Sequence, residues 1–222
     1  MEVPYANLEF PDPPADRPYV FVNMVTTIDG KIVTGERDEP VPDLGSKTDH
    51  AAMRNIEAAA DAVLIGAGSL RATPGLHYAP HLKRIVMTRS GKIFFHEGKL
   101  RRFFSDAPER AFVATASQLD LPDGVQHLSD DPRGLLFALR REHGVTRLVI
   151  EGGSEINALF LAADLVDELF LTLAPKVKLG QMTPTYAGGE PLSRADIMRF
   201  DLTSCIRAEN EIFLRYRRAR ST

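Results

Sequence analysis

Two glycine-bearing turns in this sequence have the residues to bring backbone amides up to a phosphate: Gly66-Ala67-Gly68-Ser69 and Gly152-Gly153-Ser154. Each follows a short apolar run of strand length and precedes a helical pattern. A strand that runs into paired glycines and then a helix exposes N–H groups where aligned peptide dipoles favour an anion. If the two strands were neighbours, a dinucleotide could bridge their carboxyl ends. Taken singly, each pair is also what a tight strand-to-helix turn needs. Neither is G-x-G-x-x-G in a βαβ setting with an acidic residue about 20 positions on, so an ordinary Rossmann domain is disfavoured.

Beside these turns stand groups that could bind charge or move a proton. Glu151 closes an apolar strand immediately before the second turn, and partial desolvation there would raise its pKa and suit it to binding or proton transfer. A strand-end glutamate can equally face water. Asp29, in Thr27-Ile28-Asp29-Gly30, could orient a substrate or bond the amides of its own turn. Thr88-Arg89-Ser90 offers an arginine flanked by hydroxyls, a nest for the 2′-phosphate that separates NADPH from NADH, or a solvated loop. The six histidines form neither H-E-x-x-H nor H-x-E with P-C-x-x-C, and Cys205 is the only cysteine, so no metal site is legible. His77 is the histidine nearest the proposed site, and His143 reads as a charge complement at a helix C-terminus.

The elements that must position these groups follow from apolar runs and punctuation. Residues 1–18 carry Pro4, Pro11, Pro13, Pro14 and Pro18 and read as an arm draped over a domain that begins near Tyr19 and continues to residue 222. Residues 19–25 are a nearly continuous apolar run, as expected of a strand buried on both faces. A short return strand is expected at 31–33 and a surface loop at 36–44. Ser46 with Asp49 starts a helix to about Ala60, with Met53 and Ile56 inward. Strands follow at 61–65, 84–88 and 111–115; residues 96–110 carry no clear period. Asp131, Pro132, inward Leu135, Leu136 and Leu139, and Gly144 past the end bound a helix at both termini. A strand at 147–150, a helix to about Ala163 and a strand at 168–173 make a βαβ unit. Two strands at 200–207 and 211–217 close the chain as a hairpin.

Composition sets outer limits. With 44% hydrophobic and 26% charged residues the chain is an ordinary globular one. A net charge of −3 gives no electrostatic footprint for nucleic acid, so any anion site must be local. No stretch approaches the roughly 20 apolar residues of a membrane span, and a cytoplasmic location is the default expectation.

Four segments, taken in order, carry a family resemblance. Asn23-Met24-Val25-Thr26-Thr27-Ile28-Asp29-Gly30-Lys31, Ala60-Asp61-Ala62-Val63-Leu64-Ile65-Gly66-Ala67-Gly68-Ser69, Val149-Ile150-Glu151-Gly152-Gly153-Ser154, and Leu165-Val166-Asp167-Glu168-Leu169 with Ala174-Pro175 and Gly180 resemble the reductase domain of the riboflavin-biosynthesis bifunctional deaminase-reductase. The likeness covers nearly everything after residue 18. It implies an α/β, dihydrofolate-reductase-like fold: a mostly parallel central sheet flanked by helices, with a C-terminal antiparallel hairpin. It implies NADPH, a homodimer, a cis peptide between Gly152 and Gly153, and reduction of a phosphoribosylaminopyrimidine to its ribitylamino form, with hydride passing to C1 of the opened ribose. Glu151 or Asp29 would then supply the proton, with a water relay as the fallback.

Carried over residue by residue, Ser69 and the turn from Gly153 through Ser154, Glu155 and Ile156 to Leu159 match cofactor contacts, with Gly66, Gly68, Gly152, Thr88, Arg89 and Asp43 around them. Leu76 and Glu151 match substrate positions. Three departures fall on the substrate side. The family usually has lysine at Asn23, arginine at Glu57 and an Asp-Asp-Pro type sequence at Ala72-Thr73-Pro74. Arg54, three residues before Glu57 on the same helix, could take over a phosphate contact, with Asn23 and Thr73 still lining the site. A reductase of another pterin or heteroaromatic compound such as dihydrofolate, and a non-catalytic NADP-binding protein, fit the same glycine turns.

Overall fold

The computed structural model describes residues 3–36 and 39–220. The loop expected at 36–44 and the arm expected at 1–18 therefore lie partly outside the described residues. In chain order the elements are β1 (Tyr19–Thr27), α1 (Lys47–Ala58), β2 (Ala62–Gly66), α2 (Ala67–Ala72), β3 (Lys83–Met87), β4 (Phe95–His96), β5 (Lys99–Leu100), α3 (Arg102–Ser105), β6 (Ala111–Ala114), β7 (Gln126–Leu128), α4 (Pro132–Arg141), β8 (Arg147–Ile150), α5 (Ser154–Ala162), β9 (Glu168–Ala174), β10 (Phe200–Ala208) and β11 (Glu211–Arg218). Among the described residues, nine strands form one sheet in the order β10-β11-β9-β1-β8-β2-β3-β6-β7. It is parallel from β9 to β7, and β11 runs antiparallel to β9 and β10.

The central strands are continuous apolar runs because both of their faces are covered. Strand alternation sends Phe21, Val63, Val86 and Val149 to a layer closed by Ile56 of α1 and by Phe103 and Phe104 of α3. It sends Val20, Val22, Leu64, Ile85 and Ile150 to the opposite layer, filled by Leu135, Leu136 and Leu139 of α4 and Phe160 of α5. The N-terminal arm does more than drape. Tyr5 is buried edge-on against Phe170, with centroids 5.0 Å apart, and Phe10 stacks on Phe21 at 4.6 Å. Arg17 then forks onto both oxygens of Asp167 at 2.6 and 2.8 Å.

One expectation is corrected, and one stretch without a reading is resolved. The return strand at 31–33 is reduced to a single bridge between Lys31 and Thr185. The Thr27 amide bonds the Lys31 carbonyl and the Lys31 amide bonds the Thr27 hydroxyl, so the turn closes on itself instead of starting a ladder. Within 96–110 the chain makes the β4–β5 hairpin and then α3, whose Phe103 and Phe104 plug the core beside Phe94.

The helices begin in two different ways. In α1 the Ser46 hydroxyl accepts the Thr48 and Asp49 amides, and in α4 the Asp131 carboxylate accepts the Gly134 amide at 2.7 Å. By contrast, α2 and α5 start at Gly66 and Gly153 with no side-chain cap. These two uncapped starts lie at the carboxyl ends of β2 and β8, which are hydrogen-bonded neighbours.

Candidate active site

Parallel register puts the glycine turns side by side. Ile150 pairs with Leu64, so each strand reaches its turn at the same level, and the Gly66 amide donates to the Gly152 carbonyl at 2.7 Å. On the far side Gly66 pairs with Met87, and Thr88-Arg89-Ser90 follows immediately. A dinucleotide can therefore cross three adjacent strand ends. The Gly152–Gly153 peptide is cis, as the resemblance implies.

Each glycine meets a different constraint. Gly152 has φ +80, a conformation that favours glycine, and an added Cβ would lie 3.0 Å from the Met24 sulfur. At Gly66 a Cβ would stand 3.0 Å from Cγ1 of Ile156, so this glycine lets α5 close onto β2. At Gly153 a Cβ would meet nothing within 4 Å. The space at Gly153 is thus open, and this N-cap residue makes no side-chain cap hydrogen bond to α5. Uncapped N-termini, open space at Gly153 and close packing at Gly66 fit the phosphates of a dinucleotide. Ser69 lies half-buried in the first turn of α2, next to Gly68.

Thr88 is engaged within its own turn. Its hydroxyl donates to the Ser90 carbonyl at 2.8 Å and accepts the Ser90 amide, so it shapes the turn that carries Arg89. The Arg89 side chain is 92% exposed, with Nη2 3.7 Å from the carboxylate of Glu155 on α5. A contact so exposed holds the guanidinium weakly and leaves it able to swing towards an anion.

The acid cluster lies where β8 stops and β1 runs on. Val22 pairs with Ile150, the last residue of β8, so Asn23 comes level with Glu151 while β1 continues beside β9 alone. The Glu151 amide donates to the Leu64 carbonyl, which fixes the backbone. Its carboxyl Oε2 accepts the Tyr78 hydroxyl at 3.1 Å; Oε1 is buried and receives no hydrogen bond from any described donor. Burial first, and then the neighbouring Glu57 carboxyl, push Glu151 up to about 8, against the opposing effects of Tyr78 and Asn23. Burial also raises Glu57, with Arg54 and His77 acting the other way. The same burial, together with Glu151 and Glu57, lifts the Tyr78 hydroxyl well above its ordinary range.

The structure thus gathers Asn23, Glu151 and, through its charge, Arg54. Thr73 and Leu76 share the turn after α2, where the Leu76 amide donates to the Thr73 carbonyl, on the same segment that carries Tyr78. Asp29 requires correction as a proton donor. It accepts the Thr27 hydroxyl at 2.6 Å and the amides of Lys178 and Leu179 at 3.1 and 2.8 Å, contacts that hold its carboxyl down at about 2. An acid so ionised has no proton to give at neutral pH, and it serves to tie the β1 turn to the segment after β9. Asp43 similarly accepts the Thr34 hydroxyl. Sequence reasoning missed Tyr78 altogether and took Glu57 only as a departure from a pattern. Tyr78 lies in a segment broken by Pro74, Gly75 and Pro80, where no period marks an inward side chain.

Fold and site define an α/β protein of the dihydrofolate-reductase-like class. A dihydrofolate reductase from Enterococcus faecalis, solved with NADP(H), superposes with a TM-score of 0.53 at 14% identity, covering 90% of this chain and 95% of that one. The chain belongs to the family described as RibD C-terminal domain, whose model matches residues 18–214. RibD of Acinetobacter baumannii superposes with a TM-score of 0.76 at 23% identity over 92% of this chain; the match spans 59% of the RibD chain. A 2,5-diamino-6-ribosylamino-4(3H)-pyrimidinone 5′-phosphate reductase from Methanothermobacter thermautotrophicus is 26% identical over 220 residues, covering 90% of this chain and 98% of its own. Family and fold together support a reductase role.

Proposed function

We propose that this protein is an NADPH-dependent reductase of a phosphoribosylaminopyrimidine in riboflavin biosynthesis, with hydride delivered to C1 of the opened ribose. One observation carries the reading: the half-buried carboxyl of Glu151, its Oε1 enclosed and its pKa raised by burial, is followed directly by the open Gly152-Gly153 turn. Acid and phosphate cradle thereby occupy consecutive residues at one strand end. The pyrimidine reductase that matches the chain over most of both lengths supports the choice of substrate class.

In this reading Gly66, Gly68, Ser69, Gly152, Gly153 and the first turn of α5 through Ile156 hold the cofactor's phosphates, and Arg89 meets the 2′-phosphate. NADPH supplies the hydride from its nicotinamide C4. The chain's own task is positioning, because the acceptor carbon must sit within about 3 to 3.5 Å of the donor. Asn23, Thr73, Leu76 and Arg54 line the substrate side. Glu151 delivers the proton, so turnover should be full below about pH 8 and fall as pH rises through that value and the carboxyl ionises.

Arg89→Ala should raise the Michaelis constant for NADPH by about tenfold, the cost of one charge-assisted contact, and leave that for NADH nearly unchanged. Equal effects on both cofactors would remove Arg89 from the 2′-phosphate site. The reading as a whole is tested by following NADPH absorbance with the diaminopyrimidinone ribosyl phosphate, its deaminated counterpart and dihydrofolate. Faster consumption with either pyrimidine is expected. Consumption with dihydrofolate alone would favour a pterin reductase, and binding without consumption a non-catalytic protein.

A further inference from the structure

We propose that Asn157 is a positioning residue of the cofactor turn, and that through it residues 183–189 act as a strap that NADPH tightens against α5. The inference rests on the cofactor reading above and adds to it a part that touches no phosphate.

Asn157 falls within the stretch expected to meet the cofactor, yet its side chain is fully buried. It lies behind Gly152, where an added Cβ would come within 3.8 Å of Nδ2. Nδ2 donates to the Tyr186 carbonyl at 2.7 Å, while Oδ1 is buried and accepts no hydrogen bond from any described donor. A buried acceptor left without a donor costs free energy that an apolar side chain of similar size would not incur. The use of an asparagine here is therefore its donor, and that donor reaches out of α5 to a loop.

The loop is the connection 175–199 between β9 and β10, which holds no helix and no strand of the sheet. Ordered connections of such length are uncommon and usually serve function. Its middle is fastened at two places. Towards the cofactor turn, the Gly188 amide donates to the Ser154 carbonyl at 3.3 Å. The backbone there runs so close to α5 that an added Cβ at Gly189, with φ +126, would stand 3.3 Å from Cβ of Ala158. Towards β1, the Ile32 amide donates to the Pro184 carbonyl at 3.1 Å, and the Lys31 ammonium donates to the Thr183 carbonyl at 3.2 Å. The strap thus joins the first turn of α5 to the residues that follow the β1 turn.

Residues 183–188 are half-buried and their fastenings are few, which is the kind of structure that opens locally before the core does. Phosphates seated on α5 would still its first turn, and Asn157 with the Ser154 carbonyl would carry that constraint into the strap. Linkage makes the effect mutual. If bound NADPH makes the strap harder to open, an intact strap makes NADPH harder to lose by the same factor.

Residue-resolved amide hydrogen exchange on the full chain, with and without saturating NADPH, tests this. NADPH should slow exchange about tenfold at Gly188 and at Ile32, a coupling of ordinary size, although Ile32 is at the end of the strap away from α5. In Asn157→Ala the dissociation constant for NADPH should rise about tenfold, as expected for one hydrogen bond, and the slowing at Ile32 should vanish even at saturation. Gly189→Ala leaves Asn157 in place but crowds Ala158 at a φ that L-residues rarely adopt, and it should have the same two effects. In both variants the Michaelis constant for NADPH should change more than kcat. Loss of packing alone would lower the melting temperature and leave the NADPH-induced slowing in place. NADPH that binds the parent protein without slowing Gly188 and Ile32 would overturn the strap, and slowing that survives in Asn157→Ala would overturn the role of Asn157. A parent protein that binds no NADPH would refute the cofactor reading and this inference together, a result distinct from binding without slowing.

Discussion

Glu151→Gln should lower kcat for the pyrimidine by about 10² to 10⁴-fold, the usual contribution of a positioned acid, with little change in NADPH affinity. Glutamine matches the side chain in size and can still accept the Tyr78 hydroxyl, so the local structure is kept while the transferable proton is lost. A second effect has the opposite sign. Because burial raises Glu151 from its ordinary 4.5 to about 8, the folded protein holds this proton more tightly than the unfolded chain. Stability from this group is therefore fully present below about 4.5 and is lost as pH rises through about 8. The glutamine variant has no such loss. It should match the parent's stability near pH 4.5 and exceed it above pH 8, by a few kcal/mol on the order of magnitude of the shift. Thermal melts at both ends of that range check the sign, and a variant with near-normal kcat would mean that the proton comes from elsewhere.

Gly153→Ala should weaken NADPH binding by about tenfold or more, or ~1.4 kcal/mol, while the fold stays intact. The position has φ −74, which any L-residue adopts, and an added Cβ would meet no protein atom within 4 Å. The methyl therefore costs the free protein little and intrudes only on what binds over α5. Gly152→Ala is the control: at φ +80 and 3.0 Å from the Met24 sulfur, it should cost about 1–2 kcal/mol of stability before any ligand is added. Calorimetric titration with NADPH beside thermal melts separates the two. Parent-like NADPH affinity in Gly153→Ala would remove this turn from the cofactor site.

Much of the frame was legible because its signals are local. The runs at β1, β2, β3, β6 and β8 are apolar without alternation since both faces are covered, and α4 carries its cap, its first-turn proline and its terminal glycine in sequence. The turns of Gly66 and Gly152 could be recognised singly, but their adjacency depends on strand order, which the sequence does not spell out. What stayed hidden depends on distant partners. The two readings of Asp29 are decided by amides of Lys178 and Leu179, far along the chain. Phe94, Phe103 and Phe104 become a core plug only through tertiary contact, in a segment with no period. Glu57 looked like a missing cation when judged at its own position; the fold gives it an electrostatic neighbour, Glu151, that its own stretch of sequence does not show.

The central claim, hydride transfer to the ribose carbon, is tested most directly by isotope tracing. NADPH carrying deuterium at both C4 positions of its nicotinamide is incubated with the protein and the diaminopyrimidinone ribosyl phosphate, and the product is analysed by mass spectrometry and NMR. The expected product is one mass unit heavier, with a single deuteron on C1 of a ribityl chain. A product unlabelled at that carbon, or a deuteron that transfers only to a pterin ring when dihydrofolate is supplied instead, would contradict it.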